Sequence, residues 1–307
     1  MGDLPVGPLT KGLKALFMKA YKEYSEKSVV LRVCTITDST SDSEDYSWLG
    51  AVPKIREFLA ERRAKSLANF NYNLKNQTWE NTIGVKRSDL EDNKLGMLRT
   101  RIRQLAQEAV RYKEEKVMSF LTSALGSDAA PYLCYDGTGL IDTAHTATSE
   151  EGGATQSNRA GTALAIATLW TAIGAMRGFK DDTGRILGMV PDTLLVEPCL
   201  EQTAFELLEP ISASAQSAAL KHLNIEPVVS SYLYSTATAA NGNWFLLDSQ
   251  SEVKGVILQE RTSVEFGSLE KDSDSGFLRD EFLYGTRARW AVGAGFWPAI
   301  YGNAGAG

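Results

Sequence analysis

Apolar positions along this chain switch between a helical and a strand period, and the switches divide it into elements. From Leu9 to Tyr24, Leu13, Leu16, Phe17, Ala20 and Tyr21 recur at three- and four-residue spacing with lysines between them. That pattern predicts a short amphipathic helix starting after Pro8 or Thr10. Nothing beside it in sequence covers its apolar face, so it is expected to pack on a distant part of the fold or on a neighbouring subunit. Val29 to Thr37 is β-branched and strand-like, and the polar run Asp38 to Asp45 breaks it. Helical spacing returns from Val52 to Leu67 through Ile55, Phe58 and Leu59, with Pro53 in the first turn and Arg56, Arg62, Arg63 and Lys65 facing away. Phe70, Tyr72 and Leu74, a turn at Lys75 to Gln77, and then Trp79, Ile83 and Val85 predict a β-hairpin. The region from Val29 to Val85 carries little compact apolar mass and reads as a projection from the main body.

The longest helical stripe runs from Met97 to Leu125 through Leu98, Ile102, Leu105, Ala109, Val117, Phe120, Leu121 and Ala124, and Gly126 stops it. Such a helix is roughly 40 Å long and would act as a strut. Tyr132 to Arg159, rich in Gly, Thr, Ser and Asp, reads mainly as irregular, mobile loop. A helix is expected over Ala160 to Met176, a turn at Asp181 to Gly184, a buried strand at Thr193 to Glu197 and helical spacing from Leu200 to Leu208. Pro227 to Val229 and Trp244 to Asp248 read as strands around the loop Ser230 to Asn243, and Val253 to Leu258 and Thr262 to Phe266 as two more. Asp280 to Gly302 is the densest aromatic stretch. Phe282 and Tyr284, then Trp290, Val292, Ala294 and Phe296, alternate about a break at Gly285, which predicts sheet core. Gly285, Gly293 and Gly295 are expected at bulges or close backbone contacts.

A length of 307 residues with 43% hydrophobic and 23% charged positions describes an ordinary globular chain, with enough material for one large or two smaller cores. Its formal charge of -6 supplies no basic surface for nucleic-acid reading. Cys34, Cys134 and Cys199 are widely spaced without a CxxC pair, which points to reduced thiols in a cytoplasm-like compartment and away from structural zinc. No apolar run approaches the ~18 residues of a membrane helix, and the start has no signal pattern. His145, in a polar loop, and His222, at a helix end, fit no metal or catalytic spacing and read as surface residues. Asp182-Thr183-Gly184 occurs once, between charged residues, and reads as a turn with Gly184 at positive φ, not as half of an aspartic protease site. Asp272 to Gly276 lacks the distal glutamate of a calcium loop, and Asp136 to Gly139 lacks the spacing and lysine of a phosphate loop. Asn76-Gln77-Thr78 is a glycosylation acceptor in form only, since no export signal accompanies it. No catalytic residue, cofactor site or metal site is carried forward.

The run Asp274-Ser-Gly-Phe-Leu-Arg-Asp-Glu-Phe-Leu-Tyr-Gly285, continuing through Ala294-Gly-Phe-Trp-Pro-Ala-Ile-Tyr-Gly302, resembles the major head subunit of Mu-like phages and prophages. Further blocks similar to the same family follow in order: Asp45 to Phe58, Arg87 to Gly96, and Leu169 to Met176 with Asp181 to Gly188. The resemblance implies an α+β subunit with the Hong Kong 97 capsid fold. On that reading residues 1–28 are an N-terminal arm, 29–85 an extended loop and 86–190 the first part of a peripheral domain with spine helix 97–125. Residues 191–250 are an axial domain, with Ser230 to Asn243 at the rim of a symmetry axis, and 251–307 are strands completing the peripheral sheet. It implies a major capsid protein that assembles into the hexamers and pentamers of an icosahedral shell around double-stranded DNA, held by weak non-specific contact. It also implies a separate scaffold, because the arm has no room for a fused one, together with a portal, a decoration protein and assembly in the bacterial host cytoplasm. Candidate inter-subunit contacts are Arg56, Arg62, Arg63 and Lys65 against Glu91, Asp92, Asp272 and Asp274, with Trp79 beside them. Two other readings stand against this one: an encapsulin-like nanocompartment shell, and an enzyme whose site is too dispersed to show in motifs.

Overall fold

The computed structural model describes residues 6–46, 72–86, 88, 95–145, 155–181, 184–208, 219–220, 222–234, 242–269 and 280–304. Helix α1 (Val6–Ser25) and the single turn α2 (Val30–Val33) precede strands β1 (Cys34–Asp38), β2 (Ser43–Asp45), β3 (Asn73–Lys75) and β4 (Gln77–Lys86). The long helix α3 (Leu95–Ser123) follows, then β5 (Arg159–Ala160), α4 (Ile166–Gly178), β6 (Thr193–Val196), α5 (Glu201–Leu208), β7 (Glu226–Val229) and β8 (Trp244–Leu247). The chain closes with β9 (Val256–Leu269), β10 (Glu281–Ala294) and β11 (Ile300–Asn303).

One sheet has the order β1-β9-β10-β4 and the other β5-β11-β8-β6-β7, and buried residues of both belong to one continuous core. In the first sheet β10 is antiparallel to both neighbours, with Gln77 opposite Trp290 and Lys86 opposite Glu281, while β1 runs parallel to β9. In the second, β6 and β8 are buried on both faces, which explains their unbroken apolar sequences.

Several elements differ from the sequence expectation. The hairpin does not form: β3 pairs with β2, and β4 pairs with β10 some 200 positions away, as in Ala288 opposite Trp79. The described parts of the region 29–85 are built into the body, with Val30, Val33, Cys34, Tyr46, Tyr72 and Leu74 all buried. Val256 to Leu269 is one strand where two were expected, because Glu260 to Thr262 keep extended backbone while facing polar partners. β10 runs through Gly285 without a break, and its irregularities lie at Arg287 to Trp290. Gly293 lacks a Cβ because the Tyr72 hydroxyl and Leu74 occupy that space. Residues 160–165 do not join α4, since Ala160 extends a short strand parallel to β11. β11 pairs with β5 and β8 in the second sheet. The expected turn is present, with Gly184 at φ +79° and its N–H donating to Asp181 O.

The apolar face of α1 finds its cover within the chain. Leu13, Phe17 and Ala20 are buried against α3 and β9, and the Phe17 ring lies 5.2 Å from that of Phe266. Lys113 of α3, only 6% exposed, ion-pairs with Glu260 of β9 and donates to the Tyr21 hydroxyl at 3.1 Å, so one ammonium ties α1, α3 and the sheet together. Burial alone would lower the Lys113 pKa, but Tyr21 and Glu260 outweigh it and hold the group above its ordinary value.

A second polar knot joins the described residues on either side of 47–71. Gln259 is fully buried; its Oε1 accepts from the Tyr46 hydroxyl at 2.8 Å, and its Nε2 donates to Leu74 O and, at 2.9 Å, to Asn76 Oδ1. Asn76 in turn donates to Ser39 Oγ and Ser41 O, so the residue at the formal glycosylation acceptor is buried and fully engaged. Tyr46 N–H donates to Tyr72 O at 2.8 Å, which brings the two ends of the intervening chain together.

The described parts of the stretch read as mobile loop, residues 132–145 and 155–159, are ordered around Asn158. Its Nδ2 donates to the carbonyls of Leu140, Trp297 and Ile300, and its Oδ1 accepts from Asp142 N–H and from His145 Nε2 at 3.1 Å. Because the amide nitrogen is spent on carbonyls, its orientation is fixed, and Nε2 must carry the proton it donates. His145 Nδ1 lies 2.7 Å from Asp136 Oδ2, and the ring stacks 4.2 Å from Trp297. His145 is therefore a fully buried packing residue, not a surface one, while His222 is exposed.

Replacing Asn158 by Leu would strand several buried backbone groups and is expected to cost at least about 3 kcal/mol of unfolding free energy, read by urea denaturation. Lys113→Met alone leaves Glu260 without its partner and should cost about 3–5 kcal/mol, whereas Lys113→Met with Glu260→Leu should be near neutral. Because the folded pKa of Lys113 is raised, its contribution is complete below pH about 10.4 and is lost only as pH rises past the folded value. An alkaline titration followed by circular dichroism should accordingly show the double variant losing less stability above that pH than the parent chain.

Candidate inter-subunit surface

Of the contact candidates, Trp79 is placed, whereas Arg56, Arg62, Arg63, Lys65, Glu91, Asp92, Asp272 and Asp274 lie outside the described residues, as do residues 235–241 of the expected rim loop. Trp79 sits on β4, the edge strand of the first sheet. Its ring stacks on Trp290 of β10 at 5.0 Å and meets Tyr112 of α3 edge-on at 5.1 Å, and its Nε1 donates to Trp290 O. Lys116 Nζ, one turn along α3, lies 5.4 Å from the Trp79 ring centre and 5.3 Å from that of Tyr112. The side chain is half-buried and rigidly held within its own subunit.

Beside this cluster a cleft of about 290 Å³ opens between α3 and the sheet. Small or short side chains make the gap: Ala109 on α3 faces Ala288, Thr286 and Asn81 on the strands. The aromatic rings of Trp79, Tyr112 and Trp290 line it, the exposed Glu108 stands beside it on α3, and the Glu80 side chain turns to the opposite face of the sheet with Thr82 and Arg287. Tyr112, Glu108 and Trp290 were not among the sequence candidates. An aromatic three positions from an alanine on the longest helix was the available signal, but nothing in the sequence placed it opposite β4.

The outer edge of β4 has no strand partner among the described residues, and neither has that of β1. β4 contains no proline, and its only lysine is its last residue, so the edge lacks the usual devices against pairing with another chain. On the face turned away from α3, Gly267 and Gly285 are opposite each other, leaving the sheet bare between Leu269 and Arg287.

The surface offers little for chemistry. Burial pushes the thiols of Cys34 and Cys134 well up, and burial with the nearby Glu197 raises Cys199, so none is poised as a thiolate nucleophile. The described residues contain no group of three or more His, Cys, Asp or Glu placed to hold a metal, and no helix long and apolar enough to cross a membrane.

The family described as Mu-like prophage major head subunit gpT matches residues 6–166, 158–233 and 224–306. The Mu-like prophage FluMu major head subunit of Haemophilus influenzae is 24% identical over 296 residues, covering 95% of this chain and 72% of that protein. The major capsid protein of Escherichia phage Mu is 24% identical over 267 residues, covering 87% of this chain and 63% of that protein, so the chain spans less than two thirds of the Mu protein's length. Among solved structures, a chain of the bacteriophage JBD30 procapsid matches with a TM-score of 0.58 and 26% identity over 97% of this chain and 75% of that one. A virus-like particle from Pyrococcus furiosus reaches a TM-score of 0.57 at 10% identity, over 95% of this chain and 98% of that one, a likeness of fold alone. The encapsulin-like alternative gains no advantage from these matches. With the family match running from residue 6 to residue 306 on the Hong Kong 97-type capsid fold, the chain belongs to the Mu-like major head subunit family, the major capsid proteins of Mu-like phages.

Proposed function

We propose that this chain forms the icosahedral shell of a phage head by self-assembly into hexamers and pentamers around double-stranded DNA. The observation that supports this best is the likeness to the JBD30 procapsid chain over nearly the whole sequence. The edges of the first sheet at β1 and β4, which have no strand partner among the described residues, agree with a subunit completed by its neighbours. Residues 29–85 act as the extended loop laid over one neighbour, 1–28 as the arm, 86–190 and 251–307 as the peripheral domain and 191–250 as the axial domain. Affinity is spread over several modest interfaces, which closed symmetry multiplies. The basic run Arg56, Arg62, Arg63 and Lys65 of one copy meets acidic positions of the next, Glu91, Asp92, Asp272 and Asp274 among them. Assembly takes place in the bacterial cytoplasm on a separate scaffold, with a portal at one vertex and a decoration protein outside. The net charge of -6 suits a shell that touches packaged DNA only weakly. The role is structural, with no catalytic step.

Electron microscopy of particles from the source phage, with mass spectrometry of the shell, should show closed shells with five- and six-fold capsomers made of this chain. Light scattering of the chain co-expressed with its scaffold should report the same particles. Native particles whose shell lacks this chain would overturn the reading.

A further inference from the structure

The cleft between α3 and β4 is the feature that the fold itself does not use. It is a surface cleft of about 290 Å³ beside three aromatic rings at the edge strand, left open by the described residues. Its lining is selective. Trp79, Trp290 and Tyr112 present ring faces and edges, Ala109 and Ala288 leave room for a slender aliphatic stem, and Thr286 adds a hydroxyl at the base. Glu108 is exposed at the mouth and has no ion-pair partner among the described residues. An aromatic slot with a carboxylate at its opening suits a long side chain that ends in a cation, above all an arginine. The stem would pack against the rings, while the planar guanidinium stacks or pairs at the rim. Lys116 already lies over the Trp79 and Tyr112 rings, so the cluster holds one cation and leaves the cleft beside it unfilled.

We propose that this cleft receives a basic side chain from the segment Lys54 to Leu67 of a second copy, one of Arg56, Arg62, Arg63 or Lys65. The inference rests on the self-assembly reading and names its receiving site. The choice of occupant follows from charge complementarity: the exposed carboxylate of Glu108 stands beside the cleft, and that segment concentrates three arginines and two lysines within fourteen positions. The cleft thus receives one of these basic side chains, while the others of the run remain free to meet acidic positions such as Glu91, Asp92, Asp272 and Asp274.

The test uses the full chain in assembled particles. A minority of subunits carrying Glu108→p-benzoylphenylalanine is co-assembled with unmodified chain, irradiated, and the cross-linked peptides are sequenced. A covalent dimer linking position 108 to a peptide within residues 54–67 of another copy is expected. Intact shells whose photoproduct maps to any other peptide, or that give no dimer, overturn the proposal while leaving the shell function standing. Unmodified chain that forms no shells would count against the shell function first. Separately, Glu108→Arg should lower particle yield at least tenfold while the subunit's circular dichroism melt is unchanged. A glutamate at one of the four basic positions should then restore the yield. Wild-type yield from Glu108→Arg alone overturns the proposal.

Discussion

The buried amide of Gln259 fixes the register of three distant stretches of this chain. It sits where β9 passes between β1 and β10, and it is bonded to Tyr46 on one side and to Leu74 and Asn76 on the other. A buried amide left without partners is costly, so the chain must bring positions separated by more than 180 residues to one point before the sheet is complete. The Lys113–Glu260 pair on the adjacent residue imposes the same requirement on the helical side. Together they specify which face of β9 meets α1 and α3, and a one-residue slip of β9 would break both at once. Apolar burial drives the collapse, and these polar groups determine its register.

This arrangement also fixes where the chain leaves the body at Tyr46 and re-enters it at Tyr72. The two ends of that segment meet through a backbone hydrogen bond and packed rings 6.0 Å apart. Closing a long loop costs only slowly more as it lengthens, and here the closure is made by the core instead of by the loop's own residues. The same logic places the second sheet, where Asn158 draws the segment before it onto the C-terminal strand.

Elements with a clear period were legible in the sequence. α1 and α3 follow their stripes to within a few residues, and β6, β7 and β8 stand where apolar runs are bounded by proline or glycine. Errors arose where pairing is remote. Nothing local distinguishes β4 as the partner of β10 from β4 as the partner of β3, because a plausible turn at Asn76 mimics a hairpin while the side chain of Asn76 is occupied in the core. The segment around His145 looked irregular because its order comes from one amide and one imidazole, which leave no periodic trace. Of the candidate surface, Trp79 was visible as an aromatic on a polar strand. Its partners Tyr112 and Trp290 came from other elements, and only the three-dimensional pairing joined them.

The stacked indoles of Trp79 and Trp290 also give the subunit an intrinsic optical label. Two indoles with centres 5.0 Å apart and planes inclined by 29° couple electronically, and a tyrosine ring and an ammonium lie against the same pair. Such a cluster carries an absorption and emission signature that depends on what lies beside it. A change of surroundings at this edge of the sheet is therefore recorded in the near-ultraviolet by the native chain, with no dye attached and no residue replaced.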